Sequence, residues 1–388
     1  MNELEQLRQN IDAIDRQLLP LFLERMELCS KVADYKRSVG MPVLDASRER
    51  QVLENKLKLL EELGRDGDMK QEVYEFFNTI MSISRVRQTR ELSGQEHRVR
   101  IDDLLKQAKP RIQDPVICYF GSQGSYSEEA AISYFGESSN RFSAKTFAEA
   151  FASLKAGKAN YLVLPIENSS TGTIAEVMEL LLAHGCYIVG EEKIAIRHCL
   201  LGVKGATLGD VKTVYSHEQG ILQCGDFLHG LGDVHCEEYY STALSAQAVA
   251  EKQDKSLAAI AAKRNAELLG LEVLAENINN NESNTTRFAV IAEQPEVEGN
   301  CNKVSIAFTL PHESGQLPRL LACFAQAGLN LLKLESRPIV NKPFEYMFLA
   351  DYTGNLLETS VREVTNSVIE GTQEFTWLGN YKGKESEE

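Results

Sequence analysis

Residues 7–36 read LRQNIDAIDRQLLPLFLERMELCSKVADYK, and the spacing of their apolar side chains decides the first third of the fold. Leu4, Leu7, Ile11, Ile14, Leu18, Leu21, Leu28, Val32 and Tyr35 follow steps of three and four, a heptad stripe on one long helix. Glycine is absent until Gly40, which with Pro42 ends the helix. A segment of this size cannot cover so long a stripe by itself, so the pattern predicts a partner, most simply a second copy of the chain. Pro20 lies inside and should kink the helix or cost about 3 kcal/mol. A second helix is predicted from about Ala46 to Leu63 and a third from about Met69 to Leu92.

Polar residues interrupt the inner stripes of all three helices. Arg25 lies between Leu21 and Leu28. Val73, Phe77 and Ile80 lead to Ser84 and Gln88. Asp45 and Glu49 continue the face of Leu53 and Leu57, and Arg8 and Lys36 can reach the stripe from near its two ends. A buried unpaired charge is expensive. A register-setting polar layer or a buried ion pair would explain one such residue. The set holds more cations than acids, which calls for an anionic ligand. The stretch above, with PVLDASRER and SISRVRQ, resembles the all-helical chorismate mutase family over residues 1–92. The resemblance implies rearrangement of chorismate to prephenate with no proton transfer. Arg8, Arg25 and Arg48 would hold carboxylates, and Lys36 and Gln88 would donate to the ether oxygen. Glu49, with the backbone near Asp45, would take the ring hydroxyl, and Ser84 would line the site. In the family Arg8 reaches the partner subunit's site.

Outward from this arm, the whole chain has 388 residues, with 43% hydrophobic and 25% charged, which excludes general disorder. Its net charge of −15 argues against wrapping nucleic acid or an anionic membrane. No apolar run is long enough for a membrane span, and no apolar leader opens the chain. The eight cysteines are scattered without CxxC, so reduced core thiols in the cytoplasm are expected, with no metal and no other cofactor.

Residues 93–114 are polar and read as a linker or helix tail. From Pro115 short apolar runs alternate with helices: VICYF then SEEAAISYF, YLVLPI then IAEVMELLLAHG, TVYS then an amphipathic run, ending in RFAVIAE. That is α/β grammar. Four loops rich in Ser, Thr, Asn and Gln (GSQGSYS, PIENSSTGT, SHEQGILQC, NNNESNTTRF) adjoin the apolar runs, where open α/β sheets bind anions. Helix capping explains such loops one at a time, but not Thr-Thr-Arg-Phe entering a strand. GSQGS is neither GxGxxG nor a Walker loop, so a dinucleotide site is not supported. In this order the motifs resemble the prephenate dehydratase family over residues 115–293, with Gly121-Ser122 in place of Gly-Pro and Glu218 in place of Pro. The resemblance implies a two-subdomain, periplasmic-binding-protein-like α/β domain that expels carbon dioxide and hydroxide from prephenate. Thr286 would donate to the leaving hydroxyl. Arg287 would pair with a carboxylate or support the site, and Asn168, Ser169, Thr173, Ser216, Gln223 and Phe288 would line it. His198 and His217 read as structural histidines.

EQPEVEGN is a second linker. Residues 302–380 then follow the order βαββαβ of a ferredoxin-like α+β domain. HESGQLPRLL and KLESRP resemble the ACT family. That implies phenylalanine as effector at Gly315, Gln316, Leu317 and Pro318 and at Glu335, Ser336, Arg337 and Pro338. Removing residues 302–388 is expected to leave both activities to some degree and to abolish the response. The three domains together resemble the bifunctional chorismate mutase–prephenate dehydratase family, as a homodimer or larger homo-oligomer. The competing reading is a non-catalytic sensor with a helical dimer arm, which the polar residues within the seam oppose.

Overall fold

The computed structural model describes residues 2–41, 45–65, 69–92, 100–281, 283–311, 315–339 and 342–384. Residues 42–44, 93–99, 282 and 312–314, which belong to motifs or linkers quoted above, lie outside the described residues. The chain divides into two compact units near residue 100.

The first unit is helical: α1 Glu3–Val39, α2 Ala46–Glu62 and α3 Lys70–Leu92. Asn2 and Glu5 form a capping box at the start of α1, and Gly40 closes it in the left-handed conformation at φ 69°. The helix runs unbroken through Pro20. That position is exposed, so water can satisfy the Arg16 carbonyl to which a proline cannot donate. α1 carries two adjacent stripes where the heptad reading has one. Met26 and Ala33 are buried beside half-buried Arg25, Cys29 and Lys36. Leu4 through Tyr35 of the heptad stripe are exposed, Leu21 by 62% and Tyr35 by 64%. Arg25 therefore belongs to the inward stripe and not to the seam of Leu21 and Leu28.

The second unit opens with α4, Ile101–Leu105, inside the stretch expected to be a linker. It is tied down: the Ile101 N–H donates to Asn366 Oδ1 at 3.0 Å, and Asn366 Nδ2 donates to Asp102 at 3.0 Å. A first sheet then forms from β1 Val116–Phe120, β2 Asn140–Ala144, β3 Tyr161–Asn168, β4 Gly172–Thr173 and β5 Tyr187–Ala195, with α5 Tyr126–Phe135, α6 Phe147–Lys155 and α7 Ala175–His184 between them. The chain crosses to a second sheet of β6 His198–Gly202, β7 Thr213–Ser216, β8 His235–Glu238, β9 Leu257–Ala262 and β10 Glu272–Ala275, with α8 Glu218–Gln223, α9 Gly225–Gly230, α10 Thr242–Lys252 and α11 Arg264–Leu269. It returns as β11, Thr285–Ala292, to the middle of the first sheet, whose order is β2-β1-β3-β11-β5 with β4 on β3. The second sheet runs β10-β6-β9-β7-β8. Two crossings between two sheets make a two-lobed body.

The second linker is also fastened, for the Tyr161 hydroxyl donates to Glu296 at 2.5 Å and the Lys109 N–H to the Pro295 carbonyl at 2.8 Å. The last elements are β12 Lys303–Thr309, α12 Gln316–Gln326, β13 Leu331–Ile339, β14 Lys342–Thr353, α13 Thr359–Gly371 and β15 Phe375–Tyr381, in sheet order β13-β14-β12-β15. This is the expected βαββαβ arrangement. Its sheet shares a core with the first sheet: Ala307, Leu349, Leu378 and Tyr381 join Leu164, Ile188 and Ala289. The closest approach is at Gly379, where a Cβ would stand 2.0 Å from the Ile188 carbonyl oxygen. Gly379→Ala must push the two sheets apart and should destabilise the second unit by roughly 1–3 kcal/mol. Denaturant unfolding of the full chain checks this, and a midpoint equal to wild type would show that the sheets do not meet so closely.

Candidate active sites

In the helical unit the stripe residues converge across helices. Arg25 of α1 donates to Ser84 Oγ of α3 at 2.5 Å, and Ser84 donates to the Ile80 carbonyl at 2.7 Å. Gln88, one turn beyond Ser84, is buried, and its Oε1 has no hydrogen-bond partner. Lys36 lies three turns beyond Arg25 on the same half-buried face. On α2, Asp45 is the N-cap and accepts from the Arg48 N–H at 2.9 Å. That bond and the Ser47 hydroxyl hold its carboxyl below the ordinary range. Glu49 pairs with Arg85, a residue the sequence reading did not include. The Arg48 side chain turns outward to Gln51 at 2.7 Å. Arg8 stands roughly 25 Å along the helix axis from Arg25 and is exposed, so it does not join the cluster of its own chain.

In the two-lobed body, strand pairing sorts the expected residues onto two faces. β11 runs antiparallel to β3 with Thr286 opposite Asn168 and Arg287 opposite Glu167. Asn168 Nδ2 donates to Thr286 Oγ1 at 2.9 Å and to Asn284 Oδ1 at 2.8 Å. Asn284 Nδ2 donates to Gln223 Oε1 at 3.1 Å, and the same oxygen lies 3.2 Å from His198 Nε2. His198 Nδ1 is 3.2 Å from the Tyr126 hydroxyl. This chain of groups runs from β3 and β11 in one lobe to α8 and β6 in the other, beside the segments that cross between lobes. Ser169 staples the adjoining loop, accepting from the Thr285 N–H at 3.0 Å. The sequence reading missed Tyr126 and Asn284, although both lie within the loops it quoted.

Four expected residues fall elsewhere. Ser216 is fully buried with its hydroxyl on the Ile260 carbonyl at 3.1 Å. Phe288 is a core residue packed among Tyr119, Val163 and Val290. Arg287 projects from the face opposite Thr286. It pairs with Asp351 at 2.7 Å, Glu167 at 3.2 Å and Glu191 at 3.4 Å. Thr173 donates to Glu335 at 2.5 Å and accepts from Lys333 at 2.6 Å. The physical reason for the last two is the period of two along a strand, which sends neighbours to opposite faces.

The same alternation divides the residues expected to hold an effector. Gln316 and Leu317 line a cavity of about 510 Å³ with Tyr346 and Phe348. Gly315 starts α12 at φ 83°, with open space where a side chain would stand. Glu335 and Arg337 turn the other way, bonding each other at 2.9 Å, and Glu335 reaches Thr173. Ser336 and Pro338 are exposed.

All eight cysteines are free. Among the described residues no cluster could hold a metal ion, and no helix is long and apolar enough to cross a membrane.

A helical unit with a polar cluster, followed by a two-lobed α/β body with a second one, defines a chain with two sites of different construction. The chorismate mutase type II family model matches residues 7–89, and the prephenate dehydratase family model matches residues 117–296. A bifunctional chorismate mutase/prephenate dehydratase of Escherichia coli (strain K12) is 33% identical over 98% of this chain and 96% of its own length. The chain belongs to the bifunctional chorismate mutase/prephenate dehydratase family and is an enzyme with both activities. Among solved structures, a prephenate dehydratase from Arthrobacter aurescens in complex with L-Phe aligns at TM-score 0.62 and 26% identity, covering 69% of this chain and 90% of that one. A protein described as GqqA, a novel type of quorum quenching acylase, aligns at TM-score 0.64 and 29% identity, covering 69% and 98%. A shared scaffold does not fix chemistry, so the sites must carry the argument.

Burial pushes the His198 imidazole down to about 4, against a smaller raising effect of the Gln223 hydrogen bond. An unfolded histidine titrates near 6.5, so on acidification the unfolded chain takes this proton first. The stabilising contribution is whole above about pH 6.5 and is lost as pH falls toward about 4. NMR titration should give His198 an apparent pKa below about 5. A value near 6.5 would show that solvent reaches the ring.

Proposed function

We propose that the helical unit binds chorismate at Arg25, Lys36, Glu49, Ser84 and Gln88, with Arg48 turning in from Gln51 to meet a carboxylate and Asp45 shaping the entry to α2. The two-lobed body would convert prephenate to phenylpyruvate around Thr286, Asn168 and Gln223, which serves phenylalanine biosynthesis. Domain limits of 1–92, 115–293 and 302–380 fit this division. The observation that carries the reading is that each unit holds its own polar cluster, with no residue in common.

The mutase step needs a flexible dianion held folded and charge stabilised on a breaking ether. Arg25 is half-buried and aimed by Ser84, so little reorganisation is needed to meet a carboxylate. The Gln88 amide is buried with an unpartnered end, as expected of a group whose partner is substrate. Its O and N assignment can exchange, so either end can face the ether. Arg8 would complete the site of a second copy, whose matching stripe would cover the exposed leucines of α1.

In the dehydratase step, aromatisation drives loss of carbon dioxide. Asn168 donates to Thr286 Oγ1 and leaves the hydroxyl proton available for the departing hydroxide. A threonine is a poor acid, so it assists by hydrogen-bond donation. Arg287 supports this rung from behind and does not meet substrate.

Arg25→Ala should abolish formation of prephenate from chorismate while sparing turnover of supplied prephenate. Thr286→Ala should do the reverse, lowering phenylpyruvate formation on the order of a hundredfold, as for one positioned donor. Coupled assays on both substrates check the crossing. Parallel loss of both activities in either folded variant would refute two separate sites.

We further infer that the βαββαβ module is an ACT-type sensor that binds phenylalanine at the cavity beside Gly315, Gln316 and Leu317, giving feedback inhibition. The Arthrobacter aurescens relative in complex with L-Phe supports this ligand class. Gly315→Val and Leu317→Gln should each weaken phenylalanine binding by roughly tenfold or more, the first because φ 83° disfavours a side chain and the backbone approach is lost. Calorimetric titration into the full chain reads this. Unchanged affinity in both variants would place the effector elsewhere.

A further inference from the structure

Lys333 and Glu335 belong to the C-terminal module, yet both meet Thr173 of the dehydratase body. Lys333 Nζ donates to Thr173 Oγ1 at 2.6 Å and to Glu167 at 2.9 Å, and Thr173 donates to Glu335 at 2.5 Å. Lys333 and Glu335 also pair at 3.3 Å. The Thr173 hydroxyl therefore uses both its donor and an acceptor position within the protein. Thr173 ends a short hairpin whose other arm carries Asn168. The return strand β4 has two residues, registered Glu167 to Thr173 and Asn168 to Gly172. A two-residue strand has little cohesion of its own. The hairpin is held at its turn by Asn168 Oδ1, which accepts from the Ser170 N–H at 2.9 Å and the Thr171 N–H at 3.2 Å. At its open end it is held by Thr173 against β13.

The charges behind this rung are shared between the two parts. Glu167, Glu191, Glu335 and Asp351 meet Arg287, Lys303, Lys333 and Arg337. Displacing any one of these withdrawn ions leaves a partner unpaired, which is costly. The arrangement thus transmits the position of the module's sheet to the hairpin.

We propose that Lys333 and Glu335, acting through Thr173, are positioning residues for the dehydratase reaction: they set the Asn168 amide against Thr286 without touching substrate. The inference rests on Asn168 and Thr286 forming the dehydratase site. It also means that removing residues 302–388 is not a neutral deletion, for it strips Arg287 of Asp351, Glu191 of Lys303 and Thr173 of both partners.

The test uses full-length Thr173→Val, Thr173→Ser, Lys333→Met and the Thr173→Val/Lys333→Met double variant, with supplied prephenate. A misplaced Asn168 costs turnover more than binding, so Thr173→Val and Lys333→Met should each lower kcat on the order of tenfold with KM within about twofold. Thr173→Ser should restore kcat. The double variant should lose no more than the worse single one, because the two residues act as one unit. Mutase activity and melting temperature are followed in parallel. Near-wild-type kcat in folded Thr173→Val overturns the proposal. So do losses that multiply in the double variant, or a rise in KM alone, which would make Thr173 a direct substrate contact. The underlying reading fails separately, if Thr286→Ala retains full dehydratase turnover.

Discussion

The pairing of β3 with β11 places two different chemistries back to back. On one face Asn168 meets Thr286, both neutral, with the Asn168 amide donating to the threonine hydroxyl. On the other, Glu167 meets Arg287, both charged and largely withdrawn from water. Charges in that position must be matched, and their partners come from both sheets. The C-terminal sheet supplies Asp351, Lys303 and Lys333. Burial acts to raise the Asp351 carboxyl, but Arg287 and Ser305 outweigh it and hold it below the ordinary range, so it stays ionised. The module is therefore a second wall against the first sheet, joined by ions at the rung and by close packing at Gly379.

The helical unit solves a different problem. Among the described residues it has no sheet to fix its geometry, and its buried apolar residues are Met26, Ala33, Leu60 and Met81. Its polar groups are held by short links across helices, Arg25 to Ser84 and Glu49 to Arg85. The long apolar stripe beside them stays exposed in the single chain. The cationic residues and the uncovered stripe thus stand side by side on one helix.

Much of this was legible in the sequence. The three helices, the α/β alternation and the βαββαβ order follow from apolar spacing, and the polar residues on helical stripes stood out because burial of polar groups needs a reason. Asn168, Thr286 and Gln223 do come together. Other readings failed for reasons of geometry. The stripe steps of three and four could not tell the face that meets α3 from the face left exposed, since adjacent helical stripes differ by a fraction of a turn. Arg85 was not singled out, because only the packing of α2 against α3 brings Glu49 to it. The two supposed linkers proved to be fastened, by Asn366 and Tyr161, through contacts between residues far apart in the chain.

What the sequence determined by itself is local: the helical stripes, the alternation of apolar runs with helices, and the polar residue types set among them. These depend on periodicities of a few residues. The direction of each side chain was decided only by the tertiary structure. Thr286 and Arg287 are neighbours in sequence, yet one faces Asn168 and the other Asp351. Thr173 and Glu335 are 162 residues apart in the chain, yet the threonine hydroxyl donates to the carboxylate at 2.5 Å. Register between strands distant in the chain settles such matters, because a shift of one residue exchanges the two faces of a sheet.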